Sequence, residues 1–312
     1  MDLVEHTEGQ PIEIVKVPDV PKLCDTFQGT KGRVDIGDCS LYTETEQGSG
    51  KYPLILLHGG PGGTHHDFHP YLSSAARSFQ SVIYYDQRGC GESDYQSGVG
   101  YSIGQAADDL EALRKTLNFE KLVVLGHSYG GILAQTYALK CPQSLAGLIL
   151  VSSGIGFPVH IRSRQGSRIS EEEGKRIKEI WQMHRNGEFD MQTAIYNAQL
   201  NGDWKRQHAI EPNLERMAQT ALYEWKHDQK YRATVGGEIN IVDMKGKFAE
   251  FKVPTLIIEG DDLTWDVQKP QILKENHPHA QLVTLLQTNH VPFAEQSDAF
   301  FKQLDDFART LS

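Results

Sequence analysis

The sequence predicts an α/β architecture: a mostly parallel sheet flanked by helices, with a helical segment inserted late in the chain. Three observations carry this. Short apolar runs alternate with segments whose apolar residues recur at helical spacing. That alternation marks a parallel sheet covered on both faces. One apolar run passes straight into a helical run through Gly126-His127-Ser128-Tyr129-Gly130, a G-x-S-x-G pattern. From about residue 155 to 245 the buried-strand pattern disappears, and it resumes at Val253.

Taken in order, residues 1–30 carry Pro11, Pro18 and Pro21 and read as an extended lead-in. Arg33 to Tyr42 reads as an opening strand, and the polar, Gly-rich stretch Thr43 to Tyr52 as a turn. Pro53 to Leu57 is a buried strand that ends in the loop His58-Gly59-Gly60-Pro61-Gly62-Gly63. Ser81 to Tyr85 is the next strand, followed by Asp86-Gln87-Arg88-Gly89-Cys90-Gly91. Ser102 to Leu117 has apolar residues at helical spacing, with Asp108, Asp109 and Glu111 on the other face. Leu122 to Leu125 is the central strand, Ile132 to Leu139 its helix, and Leu145 to Ser152 a further strand. Helical runs then cover Glu171 to Arg185, Met191 to Leu200 and Leu214 to Gln229. Strands return at Val253 to Glu259 and Gln281 to Leu286, and Ala299 to Leu311 closes the chain as an amphipathic helix. Because strands resume after the helical stretch, residues 1–154 and 246–312 are expected to form one core domain and 155–245 a helical cap inserted in it.

The G-x-S-x-G pattern between strand and helix is the nucleophile elbow of the α/β-hydrolase fold. Glycines flank the serine because strand and helix approach closely at so tight a turn. A serine hydroxyl needs a base to take its proton, and the base needs a carboxylate to orient it. In this fold the order is Ser, then acid, then His. His290 directly follows the last strand and is the candidate base. The acid should follow the strand ending at Glu259, where Asp261, Asp262 and Asp266 compete. Negative charge developing on the attacked carbonyl needs preorganised N–H donors. The backbone of Tyr129 supplies one and the loop after the early strand, at Gly60, the other. That loop lacks the Gly-Lys-Ser/Thr ending of a phosphate-binding loop.

Composition narrows the partners. The formal net charge of −10 and the lack of any Lys/Arg-rich run argue against nucleic acid. No apolar stretch approaches a membrane span, and the polar N-terminus has no signal-like apolar region, so a cytoplasmic protein without membrane partners is expected. The four cysteines are scattered without a C-x-x-C pair, which supports neither a disulfide framework nor a cysteine zinc site.

Three segments in order, His58-Gly59-Gly60-Pro61-Gly62, Asp86-Gln87-Arg88-Gly89-Cys90-Gly91-Glu92-Ser93 and Gly126-His127-Ser128-Tyr129-Gly130-Gly131, resemble the proline iminopeptidase family. The resemblance is strong over residues 50–155, moderate over 250–312 and poor in the cap. It implies a serine aminopeptidase that releases an N-terminal residue, often proline, from small peptides without metal or cofactor. It places Asp262 as the acid, although Leu263 stands where the family has its aspartate and the loop is one residue short. Asn289 precedes His290 where the family has glycine, and Glu92 stands where arginine is frequent. The stretch Val235-Gly236-Gly237-Glu238-Ile239 resembles a family segment whose glutamate receives the substrate amine, which implies that role for Glu238. Glu224, Glu211 and Glu215 are further acids of this region with no motif behind them. Relatives with the same glycine loop include carboxylesterases and amino-acid amidases, so ester hydrolysis by the same triad is the alternative.

Overall fold

Residues 12–22, 25, 27–69, 71–96, 100–156, 168–239, 241–261 and 269–311 are described by the computed structural model. The central strands are apolar on both faces because both faces are covered. β3 (Leu54–Leu57), β4 (Ser81–Tyr85), β5 (Leu122–His127) and β7 (Thr255–Gly260) are buried at every position, and β6 (Leu145–Val151) at all but one. With β1 (Thr30–Asp35), β2 (Ser40–Gln47) and β8 (Gln281–Leu285) they form one eight-stranded sheet of order β1-β2-β4-β3-β5-β6-β7-β8. β1 and β2 pair antiparallel and the other six strands run parallel. The registers Leu57↔Gly126, His127↔Val151 and Val151↔Ile258 therefore bring the carboxyl ends of four neighbouring strands to one edge. Loops leaving that edge are where sites form in open α/β sheets.

Side chains alternate across the strands and feed two cores. Ile55, Leu57, Ile83 and Val124 pack with Leu110 and Leu113 of α1 (Ile103–Thr116) and Leu133 and Tyr137 of α2 (Tyr129–Lys140). Leu54, Leu56, Val82 and Val123 face the opposite way, toward the rings that the last helix inserts. Between β6 and β7 the described chain is helical: α3 (Glu171–Arg185), α4 (Met191–Leu200), α5 (Leu214–Gln219) and α6 (Gln229–Ile239). Ser170 and Glu173 form a reciprocal capping box that starts α3 where the charge pattern begins. The excursion closes on itself, since Met244 N donates to Ile155 O at 3.0 Å. After β7 come α7 (Lys269–Asn276), the short α8 (Pro292–Glu295) and α9 (Ser297–Thr310), which buries Phe300, Leu304 and Phe307. Among the described residues no helix is long and apolar enough to cross a membrane.

Two sequence expectations need correction. The strand expected over Arg33–Tyr42 is a hairpin of two strands, and the first half of the turn expected over Thr43–Tyr52 is the second half of β2, which ends at Gln47. Gly37, with φ of 110°, makes the turn. Polar residues conceal β2 because Thr43 and Glu44 are buried on an antiparallel strand that carries few apolar side chains. The single run expected over Leu214–Gln229 divides, with a π-helical turn at Thr220–Glu224 between α5 and the start of α6.

Buried histidines make the fold acid-sensitive. Burial holds His277 down at about 4 and His66 down at about 2, so both stay neutral in the native state. Unfolded, each regains the ordinary value near 6.5. A base whose pKa is depressed by folding contributes stability fully above its unfolded value and loses it as pH falls toward the folded one. Each should therefore withdraw up to about 2 kcal/mol on going from pH 7 to about pH 5. Urea midpoints across this range check it; a midpoint indifferent to pH would contradict the burial argument.

Candidate active site

β5 ends at His127 and α2 begins at Tyr129, leaving Ser128 alone to turn the chain. It does so at φ 55° and ψ −120°, a conformation that costs a non-glycine residue roughly 1–3 kcal/mol. The surroundings hold it there. Ser128 N donates to Val151 O at 2.9 Å, and Ser128 O accepts from Gly131 N and Ser153 Oγ, both at 3.0 Å. A Cβ on Gly126 would strike the backbone of Gly130, and one on Gly130 would strike the carbonyl oxygen of Leu57. Both glycines are therefore needed for helix and strand to meet at this angle. Tyr129 sits at the first position of α2, where helix geometry leaves the backbone N–H unused by the helix. Its side chain is buried, with Oη 3.4 Å from Tyr231 Oη.

The loop after β3 runs against the elbow. A Cβ on Gly59 would lie 3.2 Å from Ser128 Cβ. Gly60 has φ of 122°, a conformation open to glycine. His58 anchors the loop from beneath: its Nε2 accepts from Gln87 N at 3.1 Å, and its Nδ1 donates to Gly59 O at 3.1 Å. Burial pushes the His58 pKa down, which suits that neutral tautomer.

His290 follows β8, and its half-buried ring lies 4.9 Å from the His127 ring, centroid to centroid. Three contacts position its loop. His290 N donates to Gln207 O at 2.9 Å, Asn289 N donates to Glu295 Oε2 at 2.7 Å, and His290 O accepts from His127 Nε2 at 2.8 Å. Glu295 Oε1 also accepts from Ala209 N and Ile210 N, tying the loop to the helical excursion. His127 Nδ1 donates in turn to Asp67 Oδ2 at 2.8 Å. Both ring nitrogens of His127 thus face groups that only accept, so the ring is an imidazolium paired with Asp67. Burial alone would raise the Asp67 carboxyl, but the charge and hydrogen bond of His127 outweigh it and hold Asp67 well below the usual carboxylate range. Sequence reasoning missed this pair, since 60 positions separate its members and no motif joins them.

Of the candidate acids, Asp262 and Asp266 lie outside the described residues. Asp261 is exposed; its N donates to Leu285 O at 3.0 Å and its Oδ1 accepts from Thr288 N at 3.2 Å. A Cβ on Gly260 would collide with the carbonyl oxygens of Thr288 and Asn289. The end of β7 therefore abuts the loop of His290 directly.

Ser128, His290 and Gly60 line one cavity of about 60 Å³, together with Asp67, His127, Glu224 and Trp225. Asp67, Gln207, Glu224 and Trp225 also line an adjoining chamber of about 260 Å³, whose walls include Trp181, Met191, Ile195 and Trp204. Glu224 ends the π-helical turn and pairs with Arg216, which lies 5.3 Å over the Tyr71 ring. Burial pushes the Glu224 carboxyl up to about 7 against the pull of Arg216. The structure does not bring Glu238 to this cavity. Its Oε2 accepts from Ile103 N at 2.7 Å at the start of α1, and it lines a separate surface pocket with Thr136 and Lys140. The reason is that α6 carries Glu238 past the cavity to the N-terminus of α1, where unsatisfied N–H groups attract a carboxylate.

A family model described as alpha/beta hydrolase fold matches residues 52–297. A proline iminopeptidase of Saccharolobus solfataricus is 32% identical over 265 residues, covering 81% of this chain and 84% of that protein. One of Lactobacillus acidophilus is 30% identical, covering 82% and 89% respectively. Among solved structures, a proline iminopeptidase of Mycobacterium smegmatis superposes with a TM-score of 0.65 at 19% identity, over 90% of this chain and 98% of that one. A thermophilic esterase from Thermogutta terrifontis gives 0.67 at 22% identity, over 90% and 99%, so these likenesses speak for the fold alone. Sequence identity carries the finer placement: the chain belongs to the α/β-hydrolase fold family and, within it, to the proline iminopeptidases.

Proposed function

We propose that the protein is a serine aminopeptidase of the prolyl type, acting on small peptides through an acyl-enzyme. The observation that carries this is the strained Ser128 in one cavity with His290, Gly60 and a buried glutamate of the helical excursion. Ser128 attacks the scissile carbonyl while His290 takes its proton and passes it to the leaving amine. Asp262, two positions after β7 in the sequence, orients His290. The N–H groups of Gly60 and Tyr129 receive the oxyanion. Residues 155–245 act as the cap that roofs the site. No metal or cofactor enters the reaction.

An aminopeptidase must also hold a charged α-amine, and Glu224 takes that role in place of Glu238. It is the buried carboxylate of the cap that lines the nucleophile's cavity. Hydrogen bonds to charged groups contribute about 1.5–3 kcal/mol. Glu224→Gln should therefore lower kcat/KM for a prolyl-naphthylamide by roughly 10- to 150-fold. Cleavage of p-nitrophenyl acetate should change little. Glu238→Gln should spare both reactions and instead loosen α1, since it weakens a helix cap. The pH dependence has a defined sign. With Glu224 near 7, amine affinity requires the ionised form, so KM for the amide substrate should fall as pH rises from about 6 to 8. Equal losses on amide and ester in Glu224→Gln would remove Glu224 from the amine site. Rapid ester cleavage without any amidase activity in the wild type would favour the esterase reading, which the Trp181, Ile195 and Trp204 side of the chamber also accommodates.

A further inference from the structure

We infer that Glu44, His65 and His69 form a structural metal site for a borderline divalent cation, zinc first, that staples the oxyanion loop to β2. The three residues are 0%, 2% and 2% exposed, and one donor atom from each lies within 4.8 Å of the others. Glu44 Oε2 is 3.0 Å from His69 Nε2, and Glu44 Oε1 is 3.6 Å from His65 Nε2. Ligands about 2.0–2.1 Å from a tetrahedral ion stand about 3.4 Å apart, so these separations bracket that value.

The detailed contacts point the same way. Glu44 Oε2 and His69 Nε2 are buried and face each other at 3.0 Å. On His65 the other nitrogen, Nδ1, donates to Asp86 Oδ1 at 2.9 Å. Asp86 is fixed in turn by Glu92 N on Oδ2 at 2.8 Å. A carboxylate on the far nitrogen of an imidazole is the usual outer support of a metal-bound histidine, because it fixes the tautomer and leaves Nε2 as the ligand. His69 stacks on Tyr84 with centroids 4.2 Å apart and is held in place by that ring. Tyr42 Oη donates to Glu44 Oε1 at 2.6 Å, orienting the carboxylate, and Lys31 Nζ stands 3.6 Å from the same oxygen. Lys31 is partly exposed and its flexible stem can swing to solvent as the ion enters.

Placement gives the site a purpose. Glu44 belongs to β2, His65 and His69 to the segment that follows the glycine loop, and Asp86 directly follows β4. Asp67, between the two histidines, lines the cavity of Ser128. An ion here would hold the loop of Gly60 and the Asp67–His127 pair without touching the reacting atoms. The expectation of a metal-free protein rested on cysteine spacing and on family resemblance. These ligands are histidines and a glutamate drawn from two distant segments.

The test uses the full chain with any affinity tag removed, expressed with zinc in the medium. Metal analysis should find about one equivalent of zinc that resists a chelator in the native state and is released on unfolding. Chain refolded with zinc should melt several degrees above chain refolded with a chelator. His69→Ala should lose the metal, and exposed His279→Ala should keep it. If His69→Ala fails to fold, wild type refolded with cobalt(II) decides: visible d–d absorption of a nitrogen- and oxygen-ligated ion supports the site. Less than about a tenth of an equivalent of zinc in the wild type, with no thermal gain from zinc or cobalt, would overturn it. So would an undiminished zinc content in folded His69→Ala.

Discussion

Ser128→Ala should lower kcat by about a million-fold, the scale seen when a serine nucleophile is removed from a triad that works as a unit. The fold should survive. Alanine meets the same penalty as serine at φ 55°, so the backbone strain is unchanged. The contacts that hold the elbow come from the backbone of Ser128, to Val151, Gly131 and Ser153, and remain available. Progress curves on an aminoacyl-naphthylamide, with circular dichroism alongside, provide the measurement. Labelling by a fluorophosphonate should vanish in the same variant. Activity near that of wild type in a folded Ser128→Ala would sink the serine-hydrolase reading.

Asp262→Asn should lower kcat by about ten-thousand-fold, because an amide neither fixes the reactive tautomer of His290 nor stabilises the imidazolium that forms on it. Asp261→Asn is the discriminating control. The Asp261 side chain accepts from Thr288 N through Oδ1, and an asparagine carbonyl accepts that bond equally well. Its loss should therefore be within a few-fold. The comparison is kcat/KM for both variants on one amide substrate. If Asp261→Asn is the crippled enzyme, the acid sits one residue earlier, and the nucleophile and base assignments stand. The two effects differ by orders of magnitude, so a modest change in stability does not blur them.

Much of the framework was legible in advance for simple reasons. Central strands of a parallel sheet are apolar at every position, so β3, β5 and β7 stand out without knowledge of their neighbours. Amphipathic helices with strong capping signals do the same, as α3 does between its capping box at Ser170 and Asn186. The elbow is legible because one tight turn, local in sequence, forces glycine at Gly126 and Gly130. β2 was not, since it buries the polar Thr43 and Glu44 and carries few apolar side chains.

The acids of the helical excursion show where local information ends. The stretch around Glu238 carries the motif, and Glu224 carries none. In the folded chain Glu238 caps α1, while the π-helical turn aims Glu224 into the cavity of Ser128. A side chain's destination is set by which helix packs on which, and that is a property of the whole chain.

By itself, then, the sequence determined the central strands and the helices that alternate with them, the serine at its strained corner and a histidine after the last strand, because each rests on interactions within a few residues. Only the tertiary structure decided the sheet order, the imidazolium of His127 on Asp67, the arrival of Glu224 beside Ser128, and the convergence of Glu44 with His65 and His69. Those depend on burial and on the close approach of distant segments, which strip water from charged groups and oblige them to find one another.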